Sequence, residues 1–313
     1  MNDNNTSWER EVVTELAESS LREQRRARRW GIFFKSLTFA YIAAIIFMYA
    51  DTDMSHVHLN ERHTALVELN GVISDKDEAN ADSVVTALRE AFDNENSAGV
   101  ILRINSPGGS PVQSGYIYDE MRRLREKHPD TPLYAVVTDV CASGGYYIAS
   151  AADKIYADKA SIVGSIGVRM DNFGFVEAID KLGVERRTLT AGENKALLDP
   201  FLPENEKAKA HMQTMLDEIH QQFIDSVKKG RGDRLDTTAE GIFSGLIWTG
   251  EAAVTIGLVD ELGSSSHVAR EVIGEETIVN YTVKQDIFER FAERLGSSVA
   301  QVISTQWLNP SLR

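Results

Sequence analysis

Val140-Cys-Ala-Ser-Gly-Gly-Tyr-Tyr-Ile148 decides how this chain is read. It follows the apolar run Leu133-Tyr-Ala-Val-Val137, which predicts a buried strand of a parallel sheet. It leads into Tyr146-Tyr-Ile-Ala-Ser-Ala-Ala152, a stretch that suits a helix. A hydroxyl between small residues at a strand-to-helix turn is presented outward, with the first N–H groups of the helix pointing towards it. Acyl-transfer chemistry needs that geometry, because an oxyanion has to form within reach of N–H donors. An ordinary turn whose serine caps a helix uses the same residue types.

Working outward, Gly99-Val-Ile-Leu-Arg-Ile104 predicts a strand ending in Asn105-Ser-Pro-Gly-Gly-Ser-Pro111. Two glycines after a proline let backbone N–H groups turn into a cleft, and beside Ser143 those of Gly109 and Gly144 would form an oxyanion hole. Ser-Pro-Gly-Gly is equally a common turn signal. Downstream, Thr190-Ala-Gly-Glu-Asn-Lys-Ala-Leu-Leu-Asp-Pro-Phe201 offers Lys195. A lysine serves as general base only where burial or nearby positive charge lowers its pKa. The apolar residues Ala196, Leu197 and Leu198 could supply burial, whereas a lone lysine in a loop is usually a solvated charge.

Histidine is absent between His128 and His211, the region that builds the Ser143 turn. His211 and His220 fall on a helix over 204–229, whose apolar face carries Ala208, Met212, Met215, Ile219, Phe223 and Val227. The single cysteine, Cys141, rules out an internal disulfide and a cysteine-based zinc site, and reads as a small buried hydrophobe. Ser226-Val-Lys-Lys229 matches S-x-x-K without a following K-T-G, and G-x-S-x-G and the phosphate-loop signature are both absent. No cofactor and no metal is expected.

The 313 residues carry a net charge of −14. Residues 1–50 hold 7 Lys/Arg against 6 Asp/Glu, leaving 26 against 41 for the remainder. That acidic body argues against nucleic acid as a partner. Arg22, Arg25, Arg26, Arg28 and Arg29 precede an apolar run from Trp30 to Ala50, interrupted by Lys35 and followed by Asp51 and Asp53. As a helix, 21 residues rise roughly 31 Å, the thickness of a hydrocarbon core. The expectation is a polar segment over 1–29 on the cytoplasmic side, a retained transmembrane helix over 30–50 and a body sent outward. Residues 51–63, with His56, His58 and His63, read as a linker.

The body, 64–285, alternates strands and helices: strands over 64–69, 154–157, 161–168 and 184–190, helices over 81–92, 112–128 and 175–182, and a helix and strand within 250–262. Such alternation predicts an α/β fold with a mostly parallel sheet. An amphipathic tail follows from Asp286.

The chain resembles the signal peptide peptidase A family, Ser-Lys serine peptidases of the S49 type, in its short form. The likeness spans about residues 60–270 and rests on Asn105-Ser-Pro-Gly-Gly109, Ala142-Ser-Gly-Gly-Tyr-Tyr147, Gly164-Ser-Ile-Gly-Val168 and Lys195 followed by Asp199-Pro-Phe201. The resemblance implies Ser143 as nucleophile, Lys195 as base, Gly109 and Gly144 as oxyanion donors, and Ser165 as the hydroxyl bonded to the lysine amine. It also implies a ClpP/crotonase-like spiral of ββα units and a homo-oligomeric ring at the bacterial inner membrane, its catalytic domain periplasmic. In such a ring a neighbouring protomer supplies the lysine, and the substrates are hydrophobic signal-peptide remnants. Glu193-Asn194, where family members often carry an aromatic residue or His, departs from the pattern. Alternatives are an S49 peptidase of the sohB type with other substrates, a crotonase-like acyl-CoA binder, and a non-catalytic membrane scaffold.

Overall fold

A computed structural model describes residues 3–50 and 61–283, with side chains over 12–45 and 61–283. The expected linker (apart from 61–63) and the C-terminal tail lie outside the described residues. The chain divides into two units, Met1–Val57 and His58–Arg313.

The first unit is a single helix, α1 (Asp3–Ala50), which runs through both the polar segment and the apolar run. Gly31 is the one weak helix former at their junction, and its cost of about 1 kcal/mol does not stop propagation. The Trp30 ring stacks on Phe34 at 5.6 Å, one turn on. Among the described residues no helix is long and apolar enough to cross a membrane. The apolar run continues through 46–50, whose side chains are not described.

The second unit is built on one eight-stranded sheet. Its elements, in chain order, are β1 (His63–Asn70), α2 (Ala81–Asp93), β2 (Ser97–Ser106), α3 (Pro111–Lys127), β3 (Leu133–Ala142), α4 (Gly144–Ala149), β4 (Lys154–Ala157), β5 (Ile162–Gly164), α5 (Val176–Lys181), α6 (Glu206–Arg231), β6 (Ile247–Thr249), α7 (Gly250–Thr255), β7 (Glu261–Leu262), α8 (Ser265–His267) and β8 (Ile278–Asn280). The order is β6-β5-β3-β2-β1-β8, with β4 paired to β3 and β7 to β4. Every pairing is parallel except β5 with β6.

β2 is apolar almost throughout because both faces of the sheet are covered. Val100, Leu102 and Ile104 join the larger core with Leu88, Ile117, Met121 and Tyr146, whereas Ile101 joins Leu66, Val136 and Tyr156 beneath Val268 and Ala269. Helix starts are set locally: Asn80 accepts from Ser83 N–H, and Ser110 caps α3 with Pro111 in its first turn.

Two expectations fail here. His63 is not in a linker but inside β1, fully buried, with ring nitrogens 2.9 Å from Tyr281 Oη and 2.7 Å from Glu61 O. No strand forms over 184–190. That alternating stretch has no sheet edge to pair with, and strand propensity is realised only against a neighbour. It belongs to an arm over 167–207 that contains no buried residue, with Leu182, Val184 and Leu189 exposed.

α3 is tied to α2 by Glu120, which accepts from Arg89 Nε at 2.7 Å and from Arg123 at 2.6 and 2.8 Å. The Arg123 hydrogen bond, with help from Arg89 and against burial, lowers the Glu120 carboxyl from 4.5 to about 2. A carboxylate so depressed contributes stability above its unfolded pKa, and that contribution is lost as pH falls from about 4.5 towards 2. Glu120→Gln is expected to flatten the acid limb of stability in that window, measured as midpoint temperature against pH.

Candidate active site

Ser143 is placed by sheet pairing. Cys141 and Ala142 pair with Val163 and Gly164, and Ser143 N–H donates to Gly164 O at 2.8 Å. The chain then turns into α4 with Ser143 at φ +52°, ψ −123°, a region that costs about 1–3 kcal/mol for a residue with a Cβ. Its side chain makes no capping bond to α4, so the helix-cap reading does not hold. Cys141 is fully buried and burial pushes its thiol far up, which keeps it protonated.

β2 and β3 part company just before this point. Ile104 pairs with Val137 and Ser106 with Cys141, so β3 carries two extra residues. Asn105 spans the irregularity, its Oδ1 accepting from Val140 N–H and its Nδ2 donating to Asp139. The turn after β2 is drawn back against β1: Ser106 Oγ donates to Gly71 O, Ile73 N–H to Gly108 O and Ser110 N–H to Ile73 O. This bridge does not use the Gly109 N–H. Gly144 opens α4, so its N–H has no acceptor within the helix.

The two turns touch. A Cβ on Gly108 (φ +100°) would fall 2.7 Å from both Ser143 Cβ and Gly144 N; one on Gly144 would fall 2.5 Å from Ser114 Oγ and 3.3 Å from Gly109 N. Ser165 follows Gly164 in the register that aligns Ala142 with Gly164, which brings it beside Ser143. It too has positive φ, +53°, and its N–H donates to Leu246 O at 2.7 Å. Gly109, Ser143, Gly144 and Ser165 line one cleft of about 1020 Å³, whose walls include Val112, Tyr116, Tyr147, Ile219 and Phe223. Tyr147 stacks on Phe223 with ring centroids 5.0 Å apart, and its hydroxyl accepts from Ser226 Oγ.

Lys195 is not brought to this cleft within the chain. It sits exposed in the arm, and Ala196, Leu197 and Leu198 leave it uncovered, as a solvated charge within the single chain. His211 is exposed, and His220 donates to Ile166 O at 3.1 Å; neither lines the cleft. Among the described residues no group of three or more His, Cys, Asp or Glu is placed to hold a metal ion. The walls Tyr116, Tyr147, Ile219 and Phe223 were not foreseen as site residues. The last two were legible as an apolar helix face, but a face that serves core and cleft together has no separate sequence signal.

Gly108→Ala is expected to abolish labelling of Ser143 by a fluorophosphonate while circular dichroism stays native. Gly115→Ala, whose Cβ would find only Tyr147 Oη at 3.9 Å, is expected to label normally.

Comparison with known proteins agrees with this geometry. The description of peptidase family S49 matches residues 125–277, and that of Clp protease matches residues 54–162. A putative signal peptide peptidase SppA of Enterococcus faecium is 32% identical over 247 residues, covering 75% of this chain and 71% of that protein. A probable protease SohB of Haemophilus influenzae is 32% identical over 228 residues, 71% of this chain and 63% of that protein. A protein named Na(+)/H(+) antiporter NhaA from Brucella abortus is 46% identical over 194 residues, 62% of this chain but only 26% of that protein. With 71% of the Enterococcus protein covered at this identity, and the S49 description spanning β3, α4 and the cleft residues Ser143, Gly144 and Ser165, the chain belongs to peptidase family S49, the serine peptidases that its turn motifs resemble.

Proposed function

We propose that this chain is a membrane-anchored Ser-Lys endopeptidase that degrades hydrophobic signal-peptide remnants. The reading rests on Ser143, held in a strained backbone at the base of an apolar cleft between two N–H groups with no helix or bridge partner. Lys195 takes the proton from Ser143 Oγ, and the oxygen attacks the peptide carbonyl. The Gly109 and Gly144 N–H groups receive the oxyanion, each worth about 3 kcal/mol in the transition state. The acyl-enzyme is then released by water. Ser165 orients the lysine amine.

Lys195 comes from an adjacent copy in a homo-oligomeric ring. The arm that carries it supports this reading: it exposes Met170, Phe173, Leu182 and Leu189, and Phe173, Phe175 and Phe201 stack on its surface. Burial of that surface against a second copy would also desolvate the lysine. Signal-peptide substrates are supported by the apolar cleft walls and by the printed name of the Enterococcus relative. The SohB relative supports a second reading, the same chemistry on other membrane-associated proteins. Antiport is not carried over from the Brucella protein, of which the chain covers about a quarter.

The anchor is the 30–50 stretch of α1, with the arginine cluster holding the N-terminus in the cytoplasm and the peptidase unit in the periplasm. Full-length protein is expected to stay with membranes through alkaline carbonate, and a chain starting at residue 58 to be released. A reporter fused after residue 60 that is active only in the cytoplasm would reverse the orientation.

Ser143→Ala and Lys195→Ala are each expected to lower peptide cleavage by about 10⁴-fold, and the double variant by no more, since both act in one proton transfer. Mixing the two single variants under demonstrated subunit exchange is expected to restore activity. Exchange without restoration assigns the pair to one chain, and high activity in Lys195→Ala removes the lysine from the mechanism.

A further inference from the structure

The cleft beside Ser143 is mostly apolar, with one acidic and one basic residue in its lining. Asp119 and Arg169 are its charged lining residues, and Arg169 pairs with Asp171 at 3.3 Å. Asp119 is exposed and has no ion-pair partner among the described residues. Its cationic neighbours on α3 are turned elsewhere: Arg123 is bonded to Glu120, and Arg122 lines a separate cavity with Arg125 and His128.

The position of Asp119 is set by helix geometry. Val112, Gly115, Tyr116 and Asp119 follow at i, i+3, i+4 and i+7, one stripe of α3 along the cleft, facing Ile219, Gln222 and Phe223 of α6. α3 starts at Pro111, two residues past Gly109, and Asp119 lies eight residues further, about 12 Å along the axis. An extended peptide rises about 3.3 Å per residue, so in a peptide laid along α3 from the Gly109 turn a residue about three or four positions from the scissile carbonyl would come level with Asp119.

We propose that Asp119 is a specificity-determining residue. It selects peptides that carry Lys or Arg three or four residues from the scissile bond, on the side that runs along α3, with apolar side chains between. The inference rests on Ser143 being a peptidase nucleophile. It adds a charge requirement to an otherwise apolar site and commits the substrate to a basic residue flanking an apolar segment.

The test uses the full-length protein in detergent and internally quenched peptides in which one Lys is moved through four positions on each side of an apolar cleavage site. The kcat/KM of each is divided by that of its Ala counterpart, so general losses cancel. Wild type is expected to favour Lys about two- to fivefold at one position three or four residues from the bond, the range of an exposed ion pair. The preference should shrink at high salt. Asp119→Asn is expected to erase the peak, and Asp119→Lys to replace it by a preference for Glu at the same position. A flat scan in wild type, or a peak that survives in Asp119→Asn, overturns the proposal with the peptidase reading intact. Cleavage of none of the peptides overturns both.

Discussion

The rest of the site depends on the contact between the turn after β2 and the turn after β3. Gly108 lies so close to Ser143 and Gly144 that no side chain fits, and Ser114 closes the other side of Gly144. Ser143 cannot relax its positive φ, because its N–H is held by Gly164 O and its C=O accepts from Tyr147 N–H inside α4. A conformation costing about 1–3 kcal/mol survives only where the surroundings over-determine it. Here the surroundings are the buried centre of a parallel sheet, where β1, β2 and β3 end together.

The cleft wall is secured from behind. α6 is locked to α4 and α3 by the Tyr147–Phe223 stack, the Ser226 bond to Tyr147 Oη and the Tyr118 bond to Ser226 O. Its C-terminal end carries Arg231, 1% exposed, which pairs with Asp260 at 2.7 Å and donates to Gly257 O. Burial of Asp260 opposes ionisation, but the Arg231 bond and charge prevail and lower its pKa. Removing one partner of such a pair would strand a buried charge, so the end of α6 is fixed in place.

The proposed nucleophile and the proposed base thus belong to parts of very different character. Ser143 stands on the most buried strands, whereas Lys195 lies in an arm without one buried residue. On the proposed mechanism the isolated chain holds Ser143 without its base, which ties activity to assembly. On that mechanism, the coupling would limit stray cleavage of other proteins.

The parallel sheet, the turn positions of Ser143, Gly109 and Gly144, and the amphipathic α6 were legible in the sequence. Each is written in a local period or a local turn, where apolar spacing and glycine placement act through neighbours in the chain. The oxyanion-type juxtaposition needed two turns 35 residues apart to be brought together by the β2–β3 register, and no local pattern encodes a register with two extra residues. Residues 184–190 have strand-like alternation without a partner edge, and His63 looks like a linker residue until β8 and Tyr281 bury it. Ile219 and Phe223 read as core, but the same helix face continues from core into cleft. Sequence therefore determined which segments form elements and which residues stand at the turns. Only the tertiary structure decided which turns meet, which apolar residues stay open to a ligand and that Lys195 stays outside the cleft, because these depend on pairings between segments distant in the chain.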